Sequence, residues 1–222
     1  MANVKQNFTF SIWVNPSNNS GLVINEEHLG YRDSFISIVH NNAIVSYYTS
    51  GGEACLSLGN IPLNQWTNII MTQDVNSNGN YLTGYINGKK MNQINTVGRK
   101  VPTTGLFYNI GGRNSVGAAS EINCGTLANY SGQLSNFQIY NTSLSGYQIA
   151  QLYDGGISNI PISHNISLWY PLNKNLNDYI GNNNGNLFRG NTIISTKSSF
   201  NYILNYSLDP IFYSSVQQQL LS

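Results

Sequence analysis

The sequence is poor in charge and lacks long apolar runs. Only 9% of its 222 residues are Asp, Glu, Lys or Arg, and the formal net charge is +1. Without a basic surface to collect phosphates, nucleic acid is not an expected partner. No stretch approaches the roughly 18 consecutive apolar residues that span a bilayer, and the first residues lack the basic segment and apolar run of a secretion signal. We therefore expect no membrane span.

Catalytic patterns are also missing. A glycoside hydrolase needs two closely placed carboxylates. The adjacent pair Glu26-Glu27 would point to opposite faces of a strand, and we expect it in a solvated loop or turn. None of the histidines lies in a Ser-His-acid pattern; they are His28, His40 and His164. The sequence therefore predicts a protein that is not an enzyme, with glycoside hydrolase as a remote alternative.

The chain has only two cysteines, Cys55 and Cys124, which are too few for a zinc site. A disulfide between them would be worth about 4 kcal/mol for a loop of this length. The alternative is a pair of buried free thiols, and the sequence leaves both open.

The polar character comes instead from Asn, Ser, Thr, Gln and 15 Tyr residues. These side chains suit an extracellular surface, although a coding bias toward Asn and Tyr would produce the same composition. Several Asn-x-Ser/Thr sequons are expected by chance in such a sequence, so glycosylation is an expectation based on the motif alone. The six sequons are Asn7, Asn18, Asn129, Asn141, Asn165 and Asn205.

Apolar residues alternate with polar ones over most of the chain, which is typical of half-buried strands. The dipeptide Asn87-Gly88 predicts a two-residue hairpin. The predicted strands include Phe8–Val14, Phe35–Val39, Ala43–Thr49, Trp66–Asp74, Tyr81–Asn87, Gly105–Gly111 and Gln133–Asn141. Short strands at regular spacing indicate an all-β sandwich of two antiparallel sheets.

Only one segment has convincing helical spacing, from Leu144 to Asp154, and Gly155-Gly156 can end it. A connector follows, and the segment SLWYPLNKNLNDYIGNNNGNL begins a new strand and an Asn/Gly-rich loop. Beyond about residue 195 the pattern weakens to two strands around FNYILNYSL. We therefore predict one sandwich domain over 1–195 and a C-terminal extension over 196–222.

Four segments together resemble one family. FTFSIWVNP, LNQWTNIIMTQD, GYINGKK and LSNFQIYNTSLSGYQIAQLYDGG occur in the order found in laminin G-like, concanavalin A-like lectin/glucanase domains. The resemblance covers Asn7 to Asn191 and implies a jelly-roll sandwich.

One departure from the family concerns the segment SLWYPLNKNLNDYIGNNNGNLFRG, which resembles the beginning of a family domain. Here it follows the main body, residues 1–157, and occupies 166–195. Because the family's first and last strands are neighbours, the segment would fill the vacant place in a circularly permuted sandwich. Alternatively, it opens an incomplete second domain or a repeat, or completes a neighbouring subunit through an open sheet edge.

The family implies a structural calcium ion, for which Asp178 in NDYIGNNNG is the candidate ligand. A loop-fastening Asx turn is the alternative, because no second carboxylate is near in sequence. Sugar recognition would use an aromatic ring with polar groups around it. The candidates for such a rim are Arg32, Asp33, Tyr47 and Tyr48, although alternation would bury one tyrosine. The three tryptophans, Trp13, Trp66 and Trp169, are expected in the core.

Together these features predict a non-enzymatic recognition or structural protein with a lectin-like fold, at an extracellular surface or on a virus particle. It would mediate attachment or assembly by binding a glycan or a surface protein. The alternative is a filament or shell subunit that self-assembles by exchanging its C-terminal segment with a neighbour.

Overall fold

The computed structural model describes residues 7–28, 31–49, 52–96, 107–112, 124–125, 128–162, 165–173 and 175–186, and the description excludes the side chains of 26–28, 31–34 and 107. Within these ranges lie eleven strands and one helix. In chain order they are β1 (Phe8–Pro16), β2 (Gly21–His28), β3 (Tyr31–Val39), β4 (Asn42–Thr49), β5 (Gly52–Asn60), β6 (Thr67–Asn76), β7 (Gly79–Ile86), β8 (Lys89–Thr96), β9 (Phe107–Ile110), β10 (Gly132–Tyr140), α1 (Gly146–Asp154) and β11 (Ile166–Tyr170).

The strands form two antiparallel sheets packed face to face. The six-stranded sheet has the order β11-β10-β1-β6-β7-β8, and the five-stranded sheet has the order β5-β4-β3-β2-β9. This is the all-β, two-sheet sandwich with one short helix that the sequence predicts.

The core fills the space between the sheets. Alternation along β1 turns Phe8, Phe10, Ile12 and Val14 inward, and all four are fully buried. Phe10 stacks on Phe35 of the opposite sheet with ring centroids 4.5 Å apart. A fully buried side chain of this kind stabilises the fold by about 1.5–3 kcal/mol, so these rings hold the two sheets together.

The outer face of the six-stranded sheet carries the helix. Ser145 is the N-cap, and with Gln148 it forms a reciprocal capping box. Ile149 and Leu152 pack on Ile70 and Tyr140 of the sheet. Tyr147 lies on the opposite side of the helix from Ile149 and Leu152 and is 74% exposed.

A buried polar network joins the sheet to the connector that follows α1. Asn136, at φ +51° beside an irregularity in the β1–β10 register, accepts hydrogen bonds from Trp169 Nε1 and Gln138 Nε2, both at 2.8 Å. Its own Nδ2 donates to Asn159 O at 2.9 Å. Tyr140 donates to Gln138 Oε1 at 2.7 Å, so each group of the network has a partner.

The segment expected to fill a vacant edge forms β11, which pairs antiparallel with β10 of the same chain. Phe137 faces Tyr170 in this register, and Gln138 faces Trp169. Trp169 keeps only 2% of its surface exposed. The predicted strands around residues 200–208 lie outside the described residues.

Two local predictions are wrong. Trp66 lies just before β6 and is 37% exposed, whereas Trp13 and Trp169 are buried as expected. Glu26 and Glu27 belong to β2 rather than to a loop, because β2 is an inner strand paired with both β3 and β9.

The Asn87-Gly88 hairpin is confirmed, with φ +50° and +74°.

Among the described residues, no helix is both long and apolar enough to cross a membrane.

Candidate functional site

A groove of about 380 Å³ lies on the outer face of the six-stranded sheet, where strands β6 to β8 meet the start of α1. We call it the helix–sheet groove. Its lining consists of Thr72, Asp74, Thr83, Tyr85, Gln93, Ser143, Leu144, Ser145, Gly146 and Gln148.

Strand alternation brings these side chains to one surface. On β6, Ile69 and Met71 face the core, so Thr72 and Asp74 face outward. On β7, Leu82 is inside and Thr83 and Tyr85 line the groove. Thr72 lies directly opposite Thr83 in the β6–β7 register, which puts their hydroxyl groups side by side on the groove floor.

Asp74 supplies the negative charge of the groove. One carboxylate oxygen accepts a hydrogen bond from Asn76 Nδ2 at 2.8 Å. Across the described residues, no Lys or Arg pairs with this carboxylate, and its other oxygen has no hydrogen-bond partner. The side chain is half-buried, so a ligand hydroxyl bonded to it would be partly shielded from water.

Tyr85 supplies the aromatic ring. Burial raises the pKa of its phenol; a hydrogen bond with Thr72 opposes this shift, and the charge of Asp74 adds to it. The phenol therefore stays protonated at neutral pH. A neutral phenol beside a carboxylate can both donate and accept hydrogen bonds.

Amide groups complete the groove wall. Gln93 Oε1 accepts from Lys90 Nζ at 2.7 Å, so its Nε2 is left to donate, and the ammonium lies at the rim. Gln148 uses its Oε1 for the capping bond from Ser145 N at 2.9 Å, which leaves Nε2 available. The groove thus combines neutral donors and acceptors with one carboxylate, a set suited to a ligand rich in hydroxyl groups.

The rim predicted from sequence does not come together. Tyr47 is fully buried between the sheets, where its hydroxyl bonds to Thr96, so it cannot offer a ring to a ligand. Tyr48 is half-buried on the opposite face of β4. Arg32 and Asp33 lie at the start of β3, and their side chains are outside the described residues.

Asp178 is buried against β11 and fastens the loop that follows it. Its Oδ1 accepts from the backbone N–H groups of Trp169 and Ile180, at 3.2 and 3.1 Å. Its Oδ2 accepts from Asn183 N and Nδ2, at 3.3 and 3.1 Å. A calcium ion would meet four N–H dipoles and a single carboxylate there, so these residues do not fit a calcium site. The arrangement is that of a loop-fastening carboxylate.

Cys55 on β5 and Cys124 are joined by a disulfide, with Cα atoms 5.8 Å apart. The Glu53 carboxylate lies within 4.8 Å of both sulfur atoms. Because sulfur atoms bonded to each other do not act as thiolate ligands, this cluster is not a metal site.

The sequons differ in accessibility. Asn18, Asn129 and Asn165 are exposed, Asn7 and Asn141 are half-buried, and Asn205 lies outside the described residues. Asn7 also bonds to β6, accepting from Val75 N at 2.7 Å and donating to Val75 O at 3.5 Å. A glycan at Asn7 would have to break these bonds, so glycosylation remains a prediction better suited to the exposed sequons.

Residues 2–150 match the family model described as the concanavalin A-like lectin/glucanases superfamily. The chain belongs to this superfamily. The match ends within α1, so β11 of this superfamily domain lies beyond it. No curated protein matches the sequence.

Solved structures with the same fold come from distant proteins. A Bacteroides ovatus protein described as carbohydrate-binding has 16% identity and a TM-score of 0.53, over 75% of this chain and 45% of that one. Domains LG4–5 of the mouse laminin α1 chain have 14% identity and a TM-score of 0.51, over 66% and 38%. The leech intramolecular trans-sialidase has 11% identity and a TM-score of 0.51, over 70% and 24%. The superfamily domain thus spans less than half the length of each of these chains.

Sequence reasoning missed the helix–sheet groove. A usable signal was present in β6, where Thr72 and Asp74 interrupt the apolar run of a central strand. Outward polar residues in the middle of a sheet face either solvent or a site. The groove residues on β8 and α1 could not be predicted from a local pattern. The pairing register of the strands and the packing of α1 on the sheet bring them to the groove.

Proposed function

We propose that this superfamily domain is a non-enzymatic recognition module, exposed outside a cell or on a virus particle, and that the helix–sheet groove binds a saccharide. The observation that carries the proposal is the groove lining: uncharged hydroxyl and amide groups around Tyr85, with Asp74 as the one carboxylate. Saccharides present closely spaced hydroxyl groups and apolar ring faces, which this lining complements.

The distance between the groove carboxylate and the buried carboxylate of Asp178 supports a role without hydrolysis. Asp74 is on β6 and Asp178 contacts β11, three strand positions away across the sheet. At about 4.8 Å per strand the separation is at least roughly 14 Å. Glycosidase carboxylates lie about 5–9.5 Å apart, so these two do not form such a pair.

The exterior location is supported by the disulfide and by the low charge. Disulfides persist in oxidising compartments and on virion or cell surfaces. Amide and hydroxyl groups keep their hydrogen bonding over a wide pH range, which suits an exposed surface. Labelling of intact cells or particles with a membrane-impermeant reagent would test the location, and protection of the protein from that reagent would contradict it.

The first prediction concerns Asp74. Replacing Asp74→Asn removes the charge while keeping the size, and we expect saccharide affinity to fall about tenfold or more, because a hydrogen bond to a charged group is worth about 1.5–3 kcal/mol. A glycan array identifies the ligand, and isothermal titration calorimetry gives the Kd of each variant.

The matched control is Asp154→Asn, which removes an exposed carboxylate at the far end of α1 and should leave the Kd unchanged. The bound oligosaccharide should be recovered intact after long incubation. Failure of every saccharide on the array to bind, or equal affinity of Asp74→Asn and the unaltered protein, would contradict the groove assignment. Cleavage of the ligand would contradict the non-enzymatic role.

A further inference from the structure

Trp66 belongs to an ordered loop, residues 61–66, that crosses from the five-stranded to the six-stranded sheet. The loop is held at its first residue and near its middle by backbone hydrogen bonds, Ile61 N to Asn41 O at 2.8 Å and Asn64 N to Pro16 O at 2.7 Å. Asn64 takes φ +55°, which turns the chain back along β1. The loop therefore fixes the position of an indole ring that is 37% exposed.

Strand register places two amide side chains beside this indole. Thr67, the first residue of β6, pairs with Val14, and extending this register by one residue sets Trp66 level with Asn15. Asn15 in turn pairs with Gln133 of β10, and its Nδ2 donates to Gln133 Oε1 at 3.0 Å. Residues level with one another on adjacent strands face the same side of a sheet. The row is therefore Trp66, Asn15 and Gln133 on the outer face.

Each member of this row keeps unused hydrogen-bonding capacity. Within the described part of the chain, Trp66 Nε1, Asn15 Oδ1 and Gln133 Nε2 have no hydrogen-bond partner. The row thus offers two donors, Trp66 Nε1 and Gln133 Nε2, and one acceptor, Asn15 Oδ1, on and beside a partly exposed indole.

Among the described residues, the stretches that form the row and its immediate backbone carry no charge. The three stretches that meet at this end of the sandwich, residues 11–25, 54–73 and 128–153, contain no Asp, Glu, Lys or Arg. The nearest described charges follow residues packed beside Trp13: Asp154 follows Tyr153, whose ring stacks on Trp13, and Lys89 follows Gly88, which lies against Tyr153. None belongs to the row, so an ionic ligand would find no counter-charge within it. A neutral pyranose fits, because its C–H face packs on an indole and its hydroxyl groups bond to amides.

We propose that Trp66, Asn15 and Gln133 form a second saccharide-binding site, specific for uncharged sugars. Asp74 of the helix–sheet groove lies eight residues further along the same strand direction, roughly 26 Å away at about 3.3 Å per residue. The two sites are therefore separate, and this one stands or falls independently of the groove.

Tryptophan fluorescence tests the proposal on the unaltered protein. Of the three tryptophans, Trp13 and Trp169 are buried, at 8% and 2% exposure, so iodide quenches mainly Trp66. The probes are cellotriose, maltotriose, mannotriose and lactose, each titrated separately. We expect at least one to shift the emission to shorter wavelength and to protect Trp66 from iodide, in both the unaltered protein and the Asp74→Asn variant.

Substitutions then identify which residues bind the sugar. Trp66→Ala should weaken the affinity for the protective sugar about tenfold or more, Trp66→Phe should retain part of it, and Gln133→Ala should weaken it less than Trp66→Ala. The matched control is Met91→Ala, which truncates another exposed apolar side chain at the far edge of the sheet.

Two results would overturn the second site. One is that no probe protects Trp66 from iodide; the other is that Trp66→Ala binds the sugar as the unaltered protein does. In the second case, if the affinity is lost in Asp74→Asn, the sugar occupies the helix–sheet groove, which supports the proposed function and refutes the second site. Should Trp66→Ala fail to fold, Trp66→Phe and the quenching measurement still decide.

Discussion

Two buried glutamines of the six-stranded sheet differ in whether their side-chain amides are hydrogen-bonded. Gln73 on β6 faces the core at zero exposure, and among the described residues neither its Nε2 nor its Oε1 has a hydrogen-bond partner. Gln138 on β10 is equally buried but bonds to both Asn136 and Tyr140. An unsatisfied buried polar group costs about 1–3 kcal/mol, whereas a satisfied one stabilises the fold modestly.

The second prediction follows from this contrast. Gln73→Leu should raise the free energy of unfolding by about 1 kcal/mol or more, because it removes an unpaired amide at nearly constant volume. Gln138→Leu, the matched control, should lower it by about 1–3 kcal/mol, because Asn136 and Tyr140 lose their partners. Urea unfolding of the three proteins measures both. A loss of stability in Gln73→Leu would show that the amide has a partner or a role not captured by its contacts.

At the scale of elements, β11 is the strand on which the closure of the sandwich depends. It covers the outer edge of β10, buries Trp169, and places Tyr170 against Phe137. Its loop is tied back by Asp178, and the Tyr170 hydroxyl donates to Asn183 O. Removing it would expose the polar network around Asn136 as well as an apolar strand edge.

The third prediction is that a chain ending at Ile160 unfolds or aggregates, while the full chain is monomeric. Thermal unfolding and size-exclusion chromatography of the two proteins measure this. A truncated chain that stays folded but no longer assembles would instead mean that the segment serves a neighbouring subunit. Trp169→Ala in the full chain is the milder test, with an expected loss of about 3–5 kcal/mol.

The elements also show what sequence can predict here. β1, β4 and β7 follow from alternation, and the turn between β7 and β8 follows from Asn87-Gly88, because these signals are local. β2 and β5 were missed: β2 carries the charged residues Glu26 and Glu27, and β5 is rich in small residues. Trp66 was misplaced because the pattern does not show that β6 begins one residue later. The groove depends on cross-strand register and on α1, which no local pattern encodes.

At the scale of the whole molecule, tyrosine burial governs the response to pH. Burial raises the pKa of Tyr170 to about 12, and the nearby Asp178 charge adds to this shift. Burial also raises the pKa of Tyr140 and of Tyr130, in each case against a weaker opposing hydrogen bond. Since the unfolded tyrosine ionises near pH 10, the folded state holds these protons more tightly, and stability present below pH 10 is lost above it.

The fourth prediction is therefore that the free energy of unfolding falls as pH rises from 10 to 12. Each tyrosine that is neutral in the folded state and ionised in the unfolded state lowers the free energy of unfolding by up to about 1.4 kcal/mol per pH unit in that window. Urea unfolding at pH 7, 9 and 11 measures the fall, and Tyr140→Phe should make it shallower. Equal midpoints at pH 7 and pH 11 would be inconsistent with buried neutral phenols.

The central position of β1 has a consequence for synthesis on the ribosome. β1 lies between β6 and β10, and Thr9 Oγ1 donates to Thr142 O, 133 positions along the chain. At about 5–20 residues per second, translation needs roughly 7 to 27 s to supply that partner. During this interval the edge of β1 that will pair with β10 has no partner strand, and nascent chains on neighbouring ribosomes can pair with it. Slowing translation between β1 and β10 should therefore lower the yield of native protein unless a chaperone shields FTFSIWV.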